Sequence, residues 1–82
     1  MTTEQINANL TDIFKDVFDD NSIVLTRETT AADIEDWDSL AQITLLVAIE
    51  KEFKINLSLH EVKMLRNVGD MLDIIQLKVP EL

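Results

Sequence analysis

Apolar residues recur at three- and four-residue steps through the first segment of the chain, at Ile6, Leu10, Ile13, Phe14, Val17 and Phe18. This spacing lays them on one stripe of a 3.6-residue helix and predicts a helix from Glu4 to Phe18. Thr2, with Gln5 three residues on, has the form of a capping box, and Thr3 is equally able to cap. Asp19-Asp20-Asn21 then breaks the pattern, and residues 19 to 38 show no sustained period. Connections of that length are uncommon in small domains and tend to be functional. Ile23, Val24, Leu25 and Ile34 are expected to pin the connection to a core, and Thr30-Ala31-Ala32-Asp33 to form a single helical turn.

A second helix is predicted from Ser39 to Phe53 or Lys54, with Asp38 as its N-cap. Its apolar residues do not keep to one side. Leu45, Ile49 and Phe53 form one stripe, Leu40, Ile43 and Val47 point nearly opposite, and Leu46 lies between. A helix apolar on most sides is either buried on several faces or keeps one face for a bound chain or partner. Ser58-Leu59-His60-Glu61 is a further capping box and starts a short helix through Val62 and Leu65. Asn67 caps a last helix with Val68, Met71, Leu72 and Ile75 on one face, and Pro80 follows its end. The expectation is all-α: a small four-helix bundle of three longer helices and one short, with a long loop between helices one and two. Residues 1–82 are read as a single domain without repeats.

Composition narrows the function classes. With an apolar fraction of 46% and one Gly, one Pro and no Tyr, the chain has enough core for a helical fold and few residues for turns. No Cys is present, so disulfides and thiolate metal sites are excluded. No apolar run approaches the roughly 20 residues that span a bilayer, and Met1-Thr2-Thr3-Glu4 does not look like a secretory leader. A cytoplasmic location is expected. Sixteen acids against seven bases give a net charge of −9, which argues against nucleic acid and for partners with basic patches. A monomer is the default.

Ser39 is the residue whose setting suggests chemistry. As a hydrolytic nucleophile it fails. Trp37 and Ala41 stand where a nucleophile elbow has glycines, and the single histidine, His60, belongs to a short polar helix and reads as a surface residue. Asp19-Asp20-Asn21 with Glu28 does not make a calcium loop, because a register from Asp19 puts Val24 and Thr30 where Gly and Glu are needed. No specific metal site is expected. A hydroxyl at a helix start, by contrast, suits a covalently attached phosphodiester, since the unpaired amides and the helix dipole stabilise an anion there.

Asp38-Ser39-Leu40, the helix segment Leu45-Leu46-Val47-Ala48-Ile49-Glu50-Lys51-Glu52-Phe53 and the closing Val68-Gly69-Asp70-Met71-Leu72-Asp73-Ile74-Ile75 together resemble the acyl carrier proteins over nearly the whole chain. The resemblance implies a carrier and not an enzyme. Ser39 would bear phosphopantetheine, donated from coenzyme A by a magnesium-dependent phosphopantetheinyl transferase. The arm's thiol would present acyl thioesters to acyl-loading, acyl-transfer or condensing enzymes. By the same resemblance Asp38 belongs to the transferase's recognition motif and Leu40, Leu46 and Val47 to the partner-contacting surface. Leu45, Ile49 and Phe53 match the core and the lining of an acyl pocket.

The departures point to a stand-alone carrier of a specialised pathway: a secondary metabolite, a polysaccharide or an unusual lipid. Trp37 replaces the small residue that often precedes the motif. Ala41 and Thr44 replace acids of the exposed face, while the upstream loop carries Asp33, Glu35, Asp36 and Asp38. An aminoacyl or D-alanyl carrier is one alternative, and an unmodified helical interaction module is another. A shallow pocket lined by Leu45, Leu46, Ile49 and the long loop is expected to shelter the cargo. Leu46→Arg and Val47→Arg are both expected to leave the fold intact while impairing docking.

Overall fold

A computed structural model describes residues 2–79. Among them are four helices: α1 (Thr3–Phe18), α2 (Ser39–Phe53), the short α3 (Leu59–Lys63) and α4 (Val68–Lys78). The all-α bundle with its long first connection is therefore the architecture, and among the described residues there is no strand. Pro80, expected to stop the last helix, lies outside the described residues.

Local chemistry starts each helix where the sequence placed a cap. At α1 the Thr2 hydroxyl accepts from the Gln5 N–H at 3.1 Å, and the Gln5 side chain accepts from the Thr2 N–H at 2.8 Å. Asp38 caps α2 by accepting from the Ala41 N–H at 2.8 Å, and Asn67 caps α4 by accepting from the Asp70 N–H at 2.8 Å. Ser58 and Glu61 close the reciprocal box at α3. These bonds satisfy donors that a helix start otherwise leaves unpaired. The first two helices end alike. Asp19 (φ 49°) and Lys54 (φ 56°) adopt the left-handed conformation, and each donates its N–H back into its own helix. Asp19 thus has a structural task, and Asp20 accepts from both the backbone and the hydroxyl of Ser22.

The predicted stripes meet in one core. Ile6, Leu10, Ile13 and Phe14 of α1 pack with Leu45, Ile49 and Phe53 of α2 and with Val68, Met71, Leu72 and Ile75 of α4. α1 is the common partner of α2 and α4. α3 buries no residue fully and ends at Lys63, short of the predicted Leu65, because the backbone must extend at Asn67 (φ −150°) to begin α4. Val62 and Leu65 are half-buried.

The long loop is tied down by α4 as well as by its own apolar residues. The Val68 N–H donates to the Thr29 carbonyl and the Gly69 N–H to the Arg27 carbonyl, each at 2.9 Å. Arg27 also pairs with Asp73 at 2.9 Å. Leu25 is buried and Ile23 and Ile34 pack against the core, whereas Val24, expected among these pins, is 80% exposed. With Ile23 and Leu25 turned to the core, the alternation of an extended chain leaves Val24 outside. Thr30–Asp33 forms a hydrogen-bonded turn in place of the expected helical turn. The Asp33 N–H reaches the Thr30 carbonyl and its carboxylate accepts from the Thr30 N–H, both at 2.9 Å.

Candidate functional site: the start of the second helix

Ser39 is the first residue of α2, and its neighbours hold that position from both sides. Upstream, Trp37 turns inward. Its ring meets Phe14 edge-on with centroids 5.1 Å apart and tilts against Phe18 at 6.3 Å. Its indole N–H donates to the Gln42 side-chain oxygen at 2.6 Å, which staples the end of the loop to the first turns of α2. Asp36 takes a positive φ of 70°, and the Asp38 N–H closes on the Asp36 carbonyl at 2.9 Å. This tight bend delivers Asp38 to its capping position and leaves Ser39 exposed. The Asp38 carboxylate accepts from the Ala41 N–H and so orients the helix start.

Beside Ser39 lies an open groove of about 580 Å³. Trp37, Ile43, Val62, Leu65 and Met71 make its apolar wall, and Asp38, Gln42 and Arg66 its polar part. The groove therefore runs from the serine toward α3 and the start of α4. It is not the pocket that the sequence suggested. Leu45 and Ile49 are 0% and 1% exposed, closed within the core against α1 and α4, and line no part of this groove.

The remaining predicted contacts divide by exposure. Leu40 and Val47 are 72% and 58% exposed, and Ile43 joins them at 60%. Leu46 is only 9% exposed and is corrected to a buried position. It follows Leu45 on the helix and precedes Ile49 by three residues, so its side chain falls to the inner side. His60 is exposed, as expected of a surface residue. Sequence reasoning missed Gln42, Val62, Leu65, Arg66 and Met71 as neighbours of the serine. The i, i+3 pair Val62–Leu65 was the one available signal, and it did not say what the pair faces.

Charge is unevenly distributed. Residues 1–38 carry ten acids against two bases, while residues 39–82 carry six against five. The first turn of α2 has no acid. The negative field is thus concentrated on α1 and the loop, and the exposed face of α2 is apolar around Leu40, Ile43 and Val47.

The site is thus an exposed helix-start serine behind an N-capping aspartate, at the end of a long pinned loop in a small helical bundle. The family model for the phosphopantetheine attachment site matches residues 8–75. The solution NMR structure of holo acyl carrier protein from Geobacter metallireducens superposes with a TM-score of 0.84 at 51% sequence identity, covering 88% of this chain and 83% of that one. No curated protein sequence matches. The chain belongs to the acyl carrier protein family, whose members bear a phosphopantetheine attachment site and carry groups instead of transforming them.

Proposed function

We propose that Ser39 is the attachment residue and that the protein carries acyl groups as thioesters for the enzymes of a specialised cytoplasmic pathway. The observation that carries this reading is the exposed Ser39 hydroxyl at the first position of α2, with its neighbours Trp37 and Asp38 both committed to holding the helix start. The surroundings suit the arm. An exposed serine is accessible to a transferase, a helix N-terminus favours a phosphodiester, and the adjoining groove offers apolar wall and hydrogen-bonding groups to an arm with both kinds of surface. When bound, phosphopantetheine supplies the thiol on which a thioester is held. The chain's own contribution is to fix the point of attachment and to present a surface that partners recognise.

That surface supports the narrower part of the proposal. The apolar Leu40, Ile43 and Val47 stand exposed on α2, while Asp33, Glu35, Asp36 and Asp38 supply the charge upstream of the serine. A partner matched to it has an apolar contact for α2 and basic groups facing the loop. Enzymes whose basic groups are set to meet acids along α2 would find Ala41 and Thr44 in their place.

Incubation with coenzyme A, magnesium and a broad-specificity phosphopantetheinyl transferase, followed by intact mass, tests the attachment. A gain of one phosphopantetheine is expected for the native chain and none for Ser39→Ala. A gain that survives in Ser39→Ala, or no gain in the native chain, would reject the assignment. The modified protein is then offered to primary fatty-acid synthase enzymes, where weak turnover is expected. Turnover equal to that of a housekeeping carrier would reject the specialised pathway while leaving the attachment site standing.

A further inference from the structure

The groove beside Ser39 contains one cation among its lining residues, Arg66, set on the stretch between α3 and α4. The other polar charged group of the lining is Asp38, next to the serine and bound to the α2 amide. A phosphodiester on Ser39 would thus begin beside a like charge, and the opposite charge of the same groove lies on its α3–α4 side. Arg66 is suited to answer it. Its side chain is 85% exposed, and its guanidinium makes one loose approach among the described residues, 3.7 Å to Asp70. The Asp70 carboxylate is meanwhile engaged by the Arg66 backbone N–H at 3.1 Å, so the guanidinium can turn away without breaking that bond. Arg27 and Lys78 differ in this respect, being held by Asp73 and Glu61 at 2.9 Å each.

We propose that Arg66 pairs with the phosphodiester of the Ser39-linked arm and holds the arm along the groove between encounters with partner enzymes. The inference rests on attachment at Ser39. A guanidinium offers two parallel donors to phosphate oxygens, a geometry that an ammonium does not match. Beyond the phosphate, Ile43, Val62 and Leu65 would offer apolar contact to the arm's methyl groups, and the Gln42 side chain, whose oxygen accepts from Trp37, would offer its NH₂ as a donor to the arm's amides. Because Arg66 is exposed, the pair is screened by salt and easily released, which suits a group that must swing out to an enzyme.

The test compares amide spectra of ¹⁵N-labelled protein before and after phosphopantetheinylation, with intact mass recorded on the same samples. In the native chain, modification is expected to shift the amides of Val62, Leu65 and Arg66 and the indole of Trp37, in addition to residues 38–42. In Arg66→Gln the shifts at Val62 and Leu65 are expected to fall, corresponding to a docked-to-free ratio lower by about 1.4- to fivefold, the range for an exposed ion pair. Arg66→Lys should recover part of the effect, and raised salt should reproduce the loss in the native chain. Mass gain with shifts confined to residues 38–42, or with unchanged shifts in Arg66→Gln, would overturn the role of Arg66 alone. Absence of any mass gain would overturn the attachment reading and this inference together.

Discussion

Gly69 shows how one residue fixes the loop that delivers Ser39. It is the second residue of α4, its φ is not positive, and its lack of a side chain matters through space instead of conformation. A Cβ there would stand 3.0 Å from the Arg27 carbonyl oxygen and 3.2 Å from the Arg27 Cβ. The same carbonyl accepts the Gly69 N–H at 2.9 Å, so it cannot withdraw without loosening that bond. Helix propensity alone would make Gly69→Ala stabilising by up to about 1 kcal/mol. Overpacking against backbone costs about 1–3 kcal/mol, and this effect should win. Urea denaturation is expected to show Gly69→Ala less stable than the native chain by about 1 kcal/mol, and a gain would mean that the loop moves aside freely. Trp37 acts at the same scale. The sequence marked it as an unusual neighbour of the serine, but only the packing on Phe14 and Phe18 reveals it as the loop's anchor.

The second helix divides into a buried inner face and an exposed outer one. Its inner side is committed to the core through Leu45, Ile49 and Phe53, and Leu46 is shielded beside them. Its outer side leaves Leu40, Ile43 and Val47 exposed. Arginine substitutions at adjacent positions should therefore diverge. Val47→Arg is expected to keep the native circular dichroism and urea midpoint while weakening partner docking. Leu46→Arg loses the burial of a leucine, worth roughly 1.5–3 kcal/mol, and must find water for a charge. A fall in stability of about 2 kcal/mol or more is expected. This replaces the expectation, drawn from sequence, that both variants keep the fold. A native-like midpoint for Leu46→Arg would show that α2 can rotate this position outward.

For the whole molecule, closure depends on a few ties between elements that are otherwise joined by a small core. Glu61 is one of them. The Ser58 backbone N–H and then the Lys78 ammonium hold its carboxylate down from the ordinary 4.5 to about 2, which links the α3 cap to the end of α4. Lys78 also donates to the Asn56 carbonyl at 2.9 Å, drawing the α2–α3 connection into the same tie. A carboxylate with a depressed folded pKa adds stability that is fully present above pH 4.5 and lost as pH falls toward about 2. Asp20 and Asp73 are shifted in the same direction, by Ser22 and by Arg27 respectively. The urea midpoint is accordingly expected to fall steadily below pH 4.5. Glu61→Gln, which keeps an acceptor for the Ser58 N–H, should flatten that fall. An unchanged pH profile in Glu61→Gln would place the acid sensitivity elsewhere.

Helix positions, caps and the serine could be read from the sequence because they depend on neighbours within a few residues. Periodicity gave the stripes of α1 and α4, and side-chain capping gave the starts at Thr2, Asp38, Ser58 and Asn67. The Asp38-Ser39-Leu40 setting carries the family resemblance within three adjacent residues. What surrounds the serine depends on residues far apart in the chain. Arg66, Leu65 and Met71 reach the groove only because α4 packs on α1 and carries the α3 corner with it. Leu46 is inside and Val47 outside because the rotation of a helix apolar on both sides is set by the neighbours it packs against. A hydrophobic pattern without a clear polar face holds no information about that rotation, and the tertiary structure alone decides it.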